Sequence, residues 1–166
     1  MKIRETSLPG ILVLTPAFFR DARGCFFETY NQREMAEAGL PEKWAQDNFS
    51  VSKKGVLRGI HYQVSQPQGK LVRVTHGAVL DVAVELSGEN GEMLWIPEGF
   101  GHAFLVLSEG TGFAYKVTDY YSPDAERTIV WNDPDLAIPW LIAPEEVIVS
   151  AKDRLGAALR DAEVFH

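Results

Sequence analysis

Three short stretches carry polar side chains where strand interiors are normally apolar, and each of those side chains has a definite chemical use. In Gly55-Val56-Leu57-Arg58-Gly59-Ile60-His61-Tyr62-Gln63, an arginine and a histidine interrupt an apolar run. Histidine exchanges a proton near neutral pH because its unperturbed pKa is about 6.5. Alternation places His61 with Leu57, Gly59 and Gln63 and turns Arg58 to the other face, so the two share a pocket only if Gly59 marks a bulge. Taken alone, the strand leaves His61 open as a proton-transfer group or as a hydrogen-bonded structural histidine. In Gly69-Lys70-Leu71-Val72-Arg73-Val74, Lys70 falls on the face of Val72 and Val74. Burying an unpaired ammonium is costly, so Lys70 either ends its strand and reaches solvent or points into a polar cavity. From Phe113 to Tyr121, alternation groups Tyr115, Val117, Asp119 and Tyr121, which offers a phenolic proton donor and a stacking surface, or ordinary strand packing.

The elements that must hold these groups are mostly strands. Ile11–Leu14, Cys25–Tyr30, Phe49–Val51, Val56–Gln63, Leu71–Thr75, Val79–Leu86, Phe104–Leu107 and Phe113–Tyr121 are rich in branched and aromatic residues and are bounded by Gly, Pro, Asn or Asp. One helix follows Asn31, where Glu34 completes a capping-box spacing and Gly39 supplies a stop. A shorter one begins after Ser150. Between Asn132 and Pro144, three prolines predict an ordered, constrained connection packed by Trp131 and Trp140. No repeat or linker divides the chain, which reads as one domain over residues 1–166. The class predicted is mainly β, an antiparallel jelly roll or barrel with a few short helices.

Composition narrows the function. The chain has 166 residues, 46% hydrophobic and 23% charged, the profile of a globular domain with an ordinary core. Sixteen Lys and Arg against twenty-three Asp and Glu give a net charge of -7, which disfavours nucleic acid or an anionic membrane as partner. The single cysteine, Cys25, excludes an intrachain disulfide, and the first residues lack the apolar core of a signal peptide. Those two features lead to the expectation of a cytoplasmic location, and no stretch approaches the ~20 apolar residues of a membrane span. His61, His76, His102 and His166 form no His-x-His pair, and no metal is expected. Glycine-rich phosphate loops and nucleophile elbows are absent, which leaves acid–base chemistry by side chains.

Several motifs together resemble one family. Asp21-Ala22-Arg23-Gly24-Cys25-Phe26-Phe27-Glu28, Gln46-Asp47-Asn48, Gly55 to Gln63, Gln68-Gly69-Lys70-Leu71-Val72, Leu94-Trp95-Ile96-Pro97-Glu98-Gly99-Phe100 and Ser150-Ala151-Lys152-Asp153 are similar, in the same order, to the dTDP-4-dehydrorhamnose 3,5-epimerases. The resemblance runs from about Ile3 to Asp153. It implies a cupin-like jelly roll that works without cofactor as a homodimer on a dTDP-linked 4-keto-6-deoxy sugar. It makes His61, oriented by Asp153, the base, Tyr115 the acid, and Lys70 the stabiliser of enolate charge. It also implies that Arg23, Glu28, Gln46, Asn48, Arg58, His102, Glu126 and Lys152 bind the nucleotide-sugar and that Tyr121 stacks on thymine. Without it, Arg23 and Glu28 read as a mutual surface ion pair.

Two further expectations follow from the resemblance. Ile11-Leu12-Val13-Leu14 would be a liability at a sheet edge, and in the family such a strand crosses to a partner, bringing Arg23 or Phe26 to the other subunit's nucleotide site. Family members also carry about one more hairpin between Asp81-Val82-Ala83-Val84 and Leu86-Ser87-Gly88-Glu89-Asn90, where here Glu85 alone is the join. Either Val79–Leu86 becomes one continuous strand, or the barrel opens locally and a partner covers it. Phe49 stands where many members have histidine. A one-carbon epimerase, a ketoisomerase acting between carbons 3 and 4, and a non-catalytic sugar-binding jelly roll are the alternatives.

Overall fold

The computed structural model describes residues 1–82 and 84–165. Ala83 of the Val79–Leu86 segment and His166 of the histidine set lie outside the described residues. In chain order the strands are β1 (Lys2–Glu5), β2 (Leu12–Thr15), β3 (Phe19–Asp21), β4 (Gly24–Phe26), β5 (Gln46–Ser52), β6 (Leu57–Gln63) and β7 (Lys70–His76). They continue as β8 (Ala78–Asp81), β9 (Glu85–Ser87), β10 (Met93–Ile96), β11 (His102–Val106), β12 (Thr111–Val117) and β13 (Glu126–Thr128). Two short helices, α1 (Gln32–Glu37) and α2 (Ala151–Arg154), complete the frame. No described helix is long and apolar enough to cross a membrane.

A six-stranded sheet, β1-β2-β10-β7-β12-β5, faces a five-stranded one, β13-β6-β11-β8-β9, while β3 and β4 pair separately. Every one of these pairings is antiparallel. Strand alternation divides the apolar residues into three clusters. Val13, Val72, Val74, Leu94, Phe104, Val106 and Phe113 meet between the sheets. Leu14, Leu71, Met93 and Trp95 turn outward, where Met35 of α1 and Leu40 cover them. Leu57, Ile60, Tyr62, Ala103 and Leu105 cover the outer face of the second sheet, under Ile129 and Trp140. This is the jelly-roll arrangement of a mainly β protein.

The helices begin where expected. The Asn31 side chain accepts the N–H groups of Arg33 and Glu34, and the Ser150 hydroxyl accepts that of Asp153. Glu34 does not complete the capping box, because its carboxylate takes the Met1 amine at 2.8 Å. Trp140 donates to the Trp131 carbonyl at 2.8 Å, fastening the proline-rich connection as predicted.

Four expectations change. Ile11–Leu14 is not an edge, since β2 lies between β1 and β10; β1 escaped the sequence reading because all four of its residues are exposed. Cys25–Tyr30 is a strand only through Phe26. Val79–Leu86 is not one continuous strand: Asp81 and Val84 exchange both backbone hydrogen bonds, at 2.9 and 3.1 Å, and β8 turns directly into β9. β12 ends at Val117, so Tyr121 is presented from a loop and not from the strand of Tyr115.

Candidate active site

Between the sheets, beyond the Phe104 and Phe113 rings stacked at 3.9 Å, the core gives way to a cavity of about 390 Å³. Among its lining residues are Gln46, Asn48, Arg58, His61, Lys70, His102, Tyr115, Tyr121 and Glu126. The bulge expected at Gly59 brings Arg58 and His61 there together. Gly59 has φ +124°, and the register of β6 with β11 shifts between His102 and Phe104. An added Cβ would lie 2.5 Å from both the Ala103 Cβ and the His102 carbonyl oxygen, so the bulge requires glycine.

His61 Nε2 lies 2.6 Å from Asp153 Oδ1, and Asp153 is buried behind it, held by the cap of α2. Burial lowers the His61 pKa more than Asp153 raises it, which keeps the ring neutral at neutral pH. With Nε2 donating to the carboxylate, Nδ1 carries the free lone pair, the state a general base needs.

Lys70 settles into the cavity alternative, with Nζ 3.5 Å from the His61 carbonyl oxygen. Burial brings its pKa down to about 8 against the fields of Asp81 and Glu126. Tyr115 shares the lining, and burial raises its pKa despite the nearby Arg58 charge, so its phenol remains a proton donor. An imidazole, a phenol and an ammonium thus surround one space.

On β13, next to the strand of His61, Glu126 organises the entrance. It accepts from Lys152 Nζ at 2.5 Å and from Tyr121 Oη at 2.8 Å. Burial opposes its ionisation, but those two bonds together with the Lys152 charge prevail and lower its pKa. Gln46 Oε1 accepts the Tyr121 N–H at 2.6 Å, and Gln63 accepts from Ser122 while donating to the Gln66 and Tyr120 carbonyls. These bonds position the stacking candidate although it lies outside any strand.

Two residues went unnoticed in the sequence. Asp81 is 1% exposed, and its Oδ2 lies 2.8 Å from His102 Nε2, a second histidine–carboxylate pair beside the first. A lone aspartate on the apolar strand Val79-Leu80-Asp81 was the available signal. Ser52 is the other, buried and bonded to Arg58. Conversely, Arg23, Phe26 and Glu28 do not line the cavity. Arg23 pairs with Asp21 at 2.6 Å and not with Glu28, whose carboxylate faces Asn31. Among the described residues no group of three or more His, Cys, Asp or Glu side chains could hold a metal ion.

Fold and cavity together define a jelly roll equipped for side-chain acid–base chemistry. The chain belongs to the dTDP-4-dehydrorhamnose 3,5-epimerase family, whose sequence profile matches residues 5–87 and 82–161. The epimerase of that name from Pseudomonas aeruginosa is 48% identical over 181 aligned positions, covering 99% of each chain. The structure of the Legionella pneumophila dTDP-6-deoxy-D-glucose-3,5-epimerase in complex with dTDP-4-keto-L-rhamnose superposes with a TM-score of 0.93 at 42% identity, covering 98% of this chain and 94% of that one. The Elizabethkingia anophelis dTDP-4-dehydrorhamnose 3,5-epimerase gives 0.91 at 38% identity, covering 97% of both. An alignment of 181 positions to a chain of 166 residues leaves at least 15 with no counterpart here. The two profile matches break and overlap at residues 82–87, where β8 turns into β9.

Proposed function

We propose that the protein epimerises carbons 3 and 5 of dTDP-4-dehydro-6-deoxy-D-glucose, without cofactor, to give dTDP-4-dehydro-L-rhamnose. The observation that carries this is the His61–Asp153 pair facing the same cavity as Tyr115 and Lys70. Protons on both carbons flanking the keto group are acidic because their loss gives an enolate. His61 Nδ1 takes the proton, the Lys70 ammonium stands by the developing negative oxygen, and the Tyr115 hydroxyl returns a proton on the opposite face. The Tyr115 phenolate and the His61 imidazolium then exchange with water, and the sequence repeats at the second carbon. Gln46, Asn48, Arg58, His102, Glu126 and Lys152 take the nucleotide-sugar, with thymine on Tyr121. That the Legionella relative is solved in complex with dTDP-4-keto-L-rhamnose supports a dTDP-sugar as the ligand.

The working unit in this reading is a homodimer of single-domain chains in the cytoplasm. Arg23, Phe26 and Glu28, which miss their own cavity, serve the partner's. Supporting it, Phe19 and Phe26 on the β3–β4 hairpin are 64% and 65% exposed, and the edge strand β5 turns Phe49 and Val51 outward.

The test is substrate incubation in deuterium oxide with product analysis. Label at carbons 3 and 5 with inversion at both is expected; label at one carbon marks a restricted epimerase, and none marks a binding protein. His61→Ala is expected to lower exchange by ~10²- to 10⁴-fold. Tyr115→Phe should retain exchange while losing inversion, because reprotonation then comes from the face that lost the proton. Doubly inverted product at the parental rate from Tyr115→Phe would overturn the assignment of the donor.

A further inference from the structure

Strand β5 has a reversed pattern for a wall of the barrel. Gln46, Asn48, Ser50 and Ser52 alternate on its inner side, and Phe49 and Val51 face outward. The first three line the cavity, but Ser52 does not. It lies buried behind Arg58, which reaches in from the opposite sheet. Ser52 Oγ accepts two hydrogen bonds from that one guanidinium, from Nε at 3.2 Å and from Nη2 at 3.0 Å. A guanidinium has five N–H groups in a fixed plane, so two on the serine leave three directed elsewhere. Among the described residues no carboxylate forms an ion pair with Arg58, whereas Lys152 at the entrance is paired with Glu126. Arg58 lines the cavity together with Tyr115, and its charge acts on the Tyr115 phenol.

From this geometry we infer that Ser52 is a positioning residue: it fixes the plane of the Arg58 guanidinium so that its remaining N–H groups meet the diphosphate of the nucleotide-sugar. Arginine binds phosphate oxygens best when its fork is held at the right angle, and an arginine free to turn must be ordered at each binding event. Ser52 meets that requirement before the ligand arrives. The inference rests on the function proposed above, since it presumes a nucleoside diphosphate in the cavity.

Calorimetric titration with dTDP tests it. The parent binds dTDP, and Ser52→Ala binds it about 5- to 10-fold more weakly, the range expected for ordering one long side chain. Ser52→Thr, which keeps the hydroxyl, restores affinity, and in turnover the loss falls on KM. In an Arg58→Ala background Ser52→Ala has no further effect, because the serine acts only through the arginine. A structural role would lower affinity equally in both backgrounds, and that result overturns the inference, as does unchanged dTDP affinity in Ser52→Ala. Should Ser52→Ala fold poorly by thermal melt, Ser52→Cys, close in size but a weak acceptor, must show the same loss in the parental background and none with Arg58→Ala. A parent that binds no dTDP overturns the reading of the cavity itself, and with it this role.

Discussion

At the residue scale, the proposed chemistry depends on the charge state of three groups. His61 must be neutral to accept a proton, and burial holds its pKa below 6.5. Lys70 must be charged, with a pKa of about 8, and Tyr115 must be protonated, with a pKa above that of free tyrosine. The signs then fix the profile: kcat/KM of the free enzyme falls on the acid side as pH drops through the lowered pKa of His61, and falls again as pH rises through about 8, when Lys70 loses its proton. Arginine stays charged throughout this range. Lys70→Arg is therefore expected to be slower but to lose the alkaline limb near pH 8. A limb that stays in place in Lys70→Arg assigns it to another group. His61 and Lys70 were legible because each is a polar residue on an otherwise apolar strand. Asp81 and Ser52 were not legible as partners, because a short polar residue near a strand end fits ordinary solvation until the facing side chain is known.

At the element scale, which side chains of β6 face the cavity depends on one backbone irregularity. Without the Gly59 bulge, alternation would send Arg58 and His61 to opposite faces of β6, and one of them into the apolar layer of Leu57, Ile60 and Tyr62. Gly59→Ala would combine a φ of +124° with a clash against β11 backbone. A cost of about 2–4 kcal/mol is expected, which for a chain of this size lowers the thermal midpoint by roughly 5–15 °C. A melt within about 1 °C of the parent would show that the bulge relaxes without strain. The need for a bulge was readable in the conflict between pattern and chemistry. The β8–β9 turn was harder to read, since Val79 to Leu86 is continuously apolar apart from Asp81 and Glu85, and periodicity gives no sign of a turn whose hydrogen bonds are backbone to backbone. Its consequence is local: the turn closes immediately after Asp81, which still reaches His102. β1 and β13 were invisible for a related reason, as short polar edge strands carry almost no hydrophobic signal.

At the scale of the whole molecule, three site candidates are separated from the rest. Arg23, Phe26 and Glu28 sit on or beside the β3–β4 hairpin, which pairs with neither large sheet and carries two largely exposed phenylalanines. The Arg23 side chain is 91% exposed, so its ion pair with Asp21 is screened by water and easily exchanged for another anion. Sequence similarity placed these residues among ligand-binding positions, but no property of one chain could say whose ligand they bind. Subunit mixing can. In a two-fold dimer whose hairpin serves the partner, an Arg23→Ala chain joined to a His61→Ala chain forms one cavity carrying both changes and one carrying neither. Random mixing in equal amounts gives about half heterodimers, so about a quarter of all cavities would be intact although each parent variant is impaired. Activity should rise toward that fraction after co-refolding the two variants, well above either alone. If Arg23 instead serves its own cavity, every site in the mixture retains one lesion, and activity stays at the average of the two variants.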